Sequence, residues 1–161
     1  MSLTSRVNEY LEKISKYYEG TSCYVRNEID LDKCDESLPK ELCKQFKRVE
    51  CVSIVKFIDG VLLKNELLIR NDKIGKLINI SNNAEVCVSE VSGREVILNV
   101  DEALKIGPND LIAYVITGKS EVRNSYSGCK GYIILIEELI GRPQKYKIYV
   151  VGEEYVREIR Q

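Results

Sequence analysis

Gly93-Arg94-Glu95-Val96-Ile97-Leu98-Asn99-Val100-Asp101-Glu102-Ala103-Leu104-Lys105-Ile106-Gly107-Pro108-Asn109-Asp110-Leu111-Ile112-Ala113-Tyr114-Val115-Ile116-Thr117-Gly118 sets two apolar runs around an Asp-Glu-Ala-Leu turn and a Gly-Pro-Asn-Asp break. By periodicity and punctuation it reads as strand, helical turn, tight turn, strand. Two strands this close in sequence pair with each other first, so the C-terminal part of the chain is expected to be β-rich and mainly antiparallel.

Downstream of this stretch the pattern continues. Tyr132–Leu139 carries apolar residues on both faces, as a central strand covered on two sides does. Lys145–Val151 alternates Tyr146, Ile148 and Val150 against Lys147, Tyr149 and Val151, and residues 153–161 read as a short helix or a frayed tail. Upstream, Lys73–Ile80 and Ala84–Val91 read as two more strands, and Asp59-Gly60 between apolar segments marks a hairpin within Glu50–Arg70. Sequential short strands joined by tight turns favour an antiparallel meander that curls into a barrel.

The first third reads differently. Ser2–Glu19 repeats Val7, Tyr10, Leu11, Ile14, Tyr17 and Tyr18 at helical steps before Gly20, so it is expected to be an amphipathic helix. Cys23–Ile29 reads as a short strand. Ser37 then caps a second helix with Pro39 in its first turn, an inward stripe of Leu38, Leu42, Cys43 and Phe46, and the cations Lys44, Lys47 and Arg48 at its end. The expected fold class is therefore α+β: two N-terminal helices packed on a mainly antiparallel sheet or partly closed barrel of about six to eight short strands. A chain of 161 residues is cramped for two domains, so 1–161 is read as a single domain, helical over 1–48 and β-rich over 49–161.

Composition bounds the function. The charged fraction of 30% and hydrophobic fraction of 44% are those of a folded protein, and a net charge of −1 offers no general attraction to nucleic acid or a membrane surface. The charge is uneven: residues 117–161 carry eight Lys or Arg against six acids, an excess too small to argue for nucleic acid by itself. The N-terminus lacks a basic start followed by an apolar core, and no apolar run reaches bilayer length, so a cytoplasmic location and no membrane partner are expected.

Cysteine chemistry and catalysis are constrained by the absence of histidine. The six cysteines, at 23, 34, 43, 51, 87 and 129, include no Cys-x-x-Cys pair, so the usual zinc spacings are missing and no metal site is expected. The first reading of them is free thiols acting as small hydrophobes. Disulfides are the alternative, because intracellular proteins of hyperthermophiles carry them. A composition rich in Ile, Lys, Glu and Tyr fits a thermophile and an AT-rich genome alike. Without histidine there is no Ser/His/Asp triad, and adjacent acids such as Glu137-Glu138 point to opposite faces of a strand. Cys129, beside Lys130, is the one candidate nucleophile and lacks the usual base. No catalytic residue and no cofactor is assigned, and the protein is read as a non-enzyme.

The loop from Gly118 to Gly131 is the most function-like segment, with three glycines, three serines and the cations Lys119, Arg123 and Lys130 around Tyr126. Such a loop can cradle a phosphate on backbone donors and stack a base on its ring. Lys147 and Tyr149 extend this into a basic aromatic strand over 142–149. Gly93–Leu98 with Ala103–Asp110 resembles the strand, helix and turn of the AbrB-type swapped-hairpin DNA-binding proteins, which would imply an intertwined dimer and DNA contact. Asn99 and Asn109 depart from that pattern where the family tends to have Pro and Gly, and no membership is assigned. Two functions follow as expectations. One is a non-catalytic interaction or regulatory module, self-associating or bound to a protein partner. The other is a nucleic-acid accessory protein using Lys119, Arg123, Tyr126, Lys130, Lys147 and Tyr149.

Overall fold

A computed structural model describes residues 20–160. The helix expected over Ser2–Glu19 lies outside them. The described chain runs β1 (Thr21–Arg26), β2 (Phe46–Val49), a 3-10 segment (Cys51–Phe57), β3 (Ile58–Asp59), β4 (Leu62–Leu63), β5 (Leu67–Asn71) and β6 (Lys76–Ile80). It continues as β7 (Val86–Gly93), β8 (Glu95–Leu98), β9 (Lys105–Ile106), β10 (Leu111–Ile116), β11 (Val122–Tyr126), β12 (Gly131–Leu139) and β13 (Gln144–Val151). A 3-10 turn at Glu153–Tyr155 leads into β14 (Val156–Ile159).

The α+β expectation is overturned: the described residues are mostly strand, and their helical content is the two 3-10 segments. Where the second helix was expected, Ser37–Gln45 is a string of turns and Phe46 already belongs to β2. The periodic apolar residues are buried as anticipated, with Leu38 at 5%, Cys43 at 1% and Phe46 at 1% exposure, but turns deliver them instead of a helix. Pro39 contributes no N–H, and its carbonyl takes the N–H of both Leu42 and Cys43, so the segment closes on itself within one turn.

Every strand pairing is antiparallel. Five strands form a sheet in the order β14-β6-β5-β1-β2, four form β7-β13-β12-β9, three form β11-β10-β8, and β3-β4 is the hairpin that turns at Gly60. The meander expectation fails between β6 and β7: consecutive in sequence, they join different sheets, β6 beside β5 and β14, β7 beside β13.

Alternation explains how these sheets stack. On β1, Cys23 and Val25 enter a core that also holds Leu67, Ile69, Ile78 and Ile80 from the five-stranded sheet and Val86, Ile134, Tyr149 and Val151 from the four-stranded one. Tyr24, pointing the other way, joins Leu68, Leu77, Phe46, Leu38 and Cys43 in a smaller core beneath the 38–43 turns. The opposite face of the four-stranded sheet gives Val91, Ile133, Ile148 and Val150 to a third core, closed by Val96, Ile112 and Ala113 of the three-stranded sheet. The sheets together include a half-barrel. Strand β12 thus lies covered on both faces, as its unbroken apolar run requires.

All six cysteines are paired, which corrects the free-thiol reading. Cys23–Cys51 ties β1 to the 3-10 segment, Cys34–Cys43 closes the turn segment, and Cys87–Cys129 ties β7 to the residues before β12. Their Cα separations of 5.1, 4.9 and 6.0 Å lie inside the range a disulfide spans. Cys129 is thereby removed as a nucleophile, since a bonded sulfur has no thiolate to offer.

Candidate functional site

The segment 118–131 does not form one loop. Its centre is β11, hydrogen-bonded to β10 along one side and, among the described residues, free along the other. Glu121 accepts the N–H of Thr117 at 2.8 Å and Ser127 donates its N–H to Asp110 at 3.0 Å, both toward the β10 side. Backbone direction alternates along a strand, so Arg123 and Ser125 also turn toward β10, while Val122, Asn124 and Tyr126 present their N–H and C=O groups to the open edge.

The outer face of this small sheet is apolar and aromatic. Val122 is 65%, Tyr126 56%, Ile97 49% and Tyr114 39% exposed. Register sets them side by side: Tyr114 lies between Asn124 on β11 and Ile97 on β8, and Ile116 pairs with Val122. Asn124 Nδ2 sits 3.5 Å from the Tyr126 hydroxyl on the same face. The charges on the edge compensate each other, with Arg123 3.3 Å from Glu121. Edge strands that resist pairing usually carry lysine, proline or uncompensated charge, and β11 has none of these.

The six residues singled out from the sequence are dispersed. Lys119 is exposed in the turn before β11, Arg123 and Tyr126 lie on β11, and Lys130 is exposed just before β12. Lys147 sits on β13, an inner strand of the four-stranded sheet, with its ammonium 3.8 Å from Glu90. Tyr149 is 7% exposed and donates its hydroxyl to Glu137 Oε1 at 3.0 Å, so it belongs to the first core and not to an open platform. Of the six, Arg123 and Tyr126 share β11 while Lys147 and Tyr149 share β13, in a different sheet. Tyr114, Ile97, Val122 and Asn124 went unnoticed in the sequence; the one available signal was the alternate spacing of Val122, Asn124 and Tyr126. The helix implied by the AbrB-type resemblance is a turn in which Ala103 has φ 67°.

Tyr149 and Glu102 are both displaced upward by their surroundings. Burial first, then the bond to Glu137, pushes the Tyr149 phenol from 10.0 up to about 12. The neutral phenol is the form the fold favours, so this stability is complete below the ordinary phenol value and is lost as pH rises through about 12. Tyr149→Phe is expected to lower unfolding free energy at pH 8 by about 1–2 kcal/mol, the contribution of a bond to a charged acceptor. Denaturant midpoints measure it, and the gap between wild type and variant should shrink as pH approaches 12. Glu102, half-buried beside Val100 and Leu104, is held above the usual carboxylate range by burial, against the pull of the Ile136 N–H that its Oε2 accepts at 3.0 Å.

Among the described residues no group of three or more His, Cys, Asp or Glu side chains is arranged to hold a metal ion, and no helix is long and apolar enough to cross a membrane. Comparison with curated proteins found no match. Residues 9–153 match the family described as "Uncharacterized protein conserved in archaea (DUF2118)". That match spans nearly the whole chain, and the protein belongs to this family.

Proposed function

We propose that this protein is a non-catalytic interaction module that associates with a second copy of itself through the free edge of β11. The observation that carries this reading is the alternation on that strand: Val122, Asn124 and Tyr126 direct their backbone groups outward and also carry the exposed outer-face side chains.

A second copy satisfies this edge without adjustment. With a two-fold axis at Asn124, each Val122 pairs with the other copy's Tyr126 and Asn124 with itself, so the outward N–H and C=O groups of all three residues find partners. The two small sheets then become one of six strands, and an aliphatic side chain lies across from an aromatic one on the shared face. Arg123 meets a serine, Ser125, so no like charges oppose each other at the axis.

Sedimentation velocity over a range of concentrations tests this. Wild type should shift from one copy to two. Asn124→Pro, which removes an outward N–H and leaves the β10 ladder intact, should weaken association by roughly tenfold or more. Val122→Lys with Tyr126→Lys should do the same through repulsion and lost burial. A single-copy mass at every concentration, or an unaltered dimer in both variants, would refute the reading. Salt-dependent binding to DNA or RNA in the same preparation would favour the nucleic-acid function instead.

A further inference from the structure

We infer that the open pocket beside the 36–41 turns, about 830 Å³ in volume, binds the phosphate group of a small phosphorylated molecule through Arg48, Arg70 and Arg160. Three arginines far apart in sequence arrive there from different strands of the five-stranded sheet. Arg48 on β2 is paired with Tyr24 of β1, Arg70 on β5 is paired with Ser22 of β1, and Arg160 follows β14. The two β-paired arginines therefore flank Ser22, whose hydroxyl lies 3.4 Å from Arg48 Nη2.

The guanidinium donors are only partly used. Each guanidinium has five N–H donors. Arg70 gives Nε to Asp72 at 2.8 Å and Nη1 to the Ser37 carbonyl, which fixes its plane and leaves Nη2 with no acceptor among the described residues. Arg48 has only its long contact to Ser22, and Arg160 has no hydrogen bond or ion pair among the described residues. Two of the three cations thus make no ion pair among the described residues while a third is held in position, an arrangement suited to the planar, multidentate recognition of a phosphate.

The nearby acids do not fill this role. Asp72 is committed to Arg70, and Asp35 is committed to Ser37, accepting its N–H at 2.9 Å and its hydroxyl at 2.5 Å. The Ser37 hydroxyl, with the fields of Arg48 and Arg70 behind it, holds the Asp35 carboxyl below its usual range. Glu36 and Glu41 line the pocket without an ion pair to any arginine. The wall they sit on is anchored by Leu38, 5% exposed, and closed by Cys34–Cys43, so the site is shaped before a ligand arrives.

The experiment is calorimetric titration of the full chain with inorganic phosphate and with phosphoethanolamine, at ionic strength held constant with sodium chloride. Saturable heat is expected from both probes, with tighter binding of phosphoethanolamine if the pocket also contacts the body of the ligand, and equal binding if it holds the phosphate alone. The double variant Arg48→Gln with Arg160→Gln touches no ion pair of the fold and should bind both probes at least tenfold more weakly at an unchanged melting temperature. Arg142→Gln, between β12 and β13 and outside the lining of this pocket, should bind as wild type does. Heat that never saturates, that chloride reproduces, or that the double variant retains would overturn the assignment.

Discussion

Replacing Cys87 and Cys129 together with alanine is expected to lower the free energy of unfolding by about 4 kcal/mol, the loop-closure entropy that a bridge of this span removes from the unfolded chain. The bridge joins residues 42 apart and fastens β7 to the Ser127–Gly131 turn, where Ser127 is buried and its Oγ both donates to the Cys129 carbonyl at 2.7 Å and accepts the Cys129 N–H at 2.9 Å. Removing Cys34–Cys43, which spans only 9 residues, should cost about 3 kcal/mol on the same basis. Denaturant unfolding with and without reductant measures both. A loss under about 1 kcal/mol for the 87–129 pair would show that its cysteines act as small apolar side chains and not as a cross-link.

Gly131→Ala is expected to be nearly as damaging, at about 3 kcal/mol or more. Gly131 has φ 141°, a conformation that side-chain-bearing residues rarely adopt, and a Cβ there would fall on the Val151 carbonyl and within 2.9 Å of the Gly152 Cα. Those are backbone atoms of the strand pairing in which Tyr132 opposes Val151, so relief requires opening the β12–β13 ladder at its end. Gly118→Ala makes the control: a Cβ there meets open space, and its unfolding midpoint should stay close to wild type.

What the residues revealed beforehand divides along physical lines. The long strands β12 and β13 were legible within one or two residues, because apolar side chains on both faces of each record burial from two sides. The Asp59-Gly60 hairpin was legible because its turn chemistry is local, although it is far shorter than the 50–70 segment suggested. Leu38, Leu42, Cys43 and Phe46 misled because spacing reports which side chains are buried and not which backbone buries them. Strand β11 was hidden for the opposite reason: with almost every residue exposed, Val122–Tyr126 has no inside face to announce it. Disulfide partners are set by tertiary approach, and six cysteines allow 15 pairings.

Both candidate sites depend on strand order, which no local pattern encodes. Arg48, Arg70 and Arg160 converge because β1 lies between β2 and β5 and because β14 returns to the same sheet beside β6. The edge status of β11 follows from β10 lying between it and β8. Lys147 and Tyr149 were expected to contact nucleic acid together with the 118–131 segment, and they stand on β13 of the four-stranded sheet while β11 belongs to the three-stranded one.

The exposed edge of β11 also sets a clock. Held by one ladder and little buried surface, its amides sit at the low end of local stability, where strands detach and reattach without the rest of the protein unfolding. The outward N–H groups of Val122, Asn124 and Tyr126 have no bond among the described residues, and they are the ones whose solvent-exchange lifetimes a neighbouring strand would lengthen. Their exchange would then slow with protein concentration, while that of Ile133 and Ile134, deep in β12, would be the same in dilute and crowded solution.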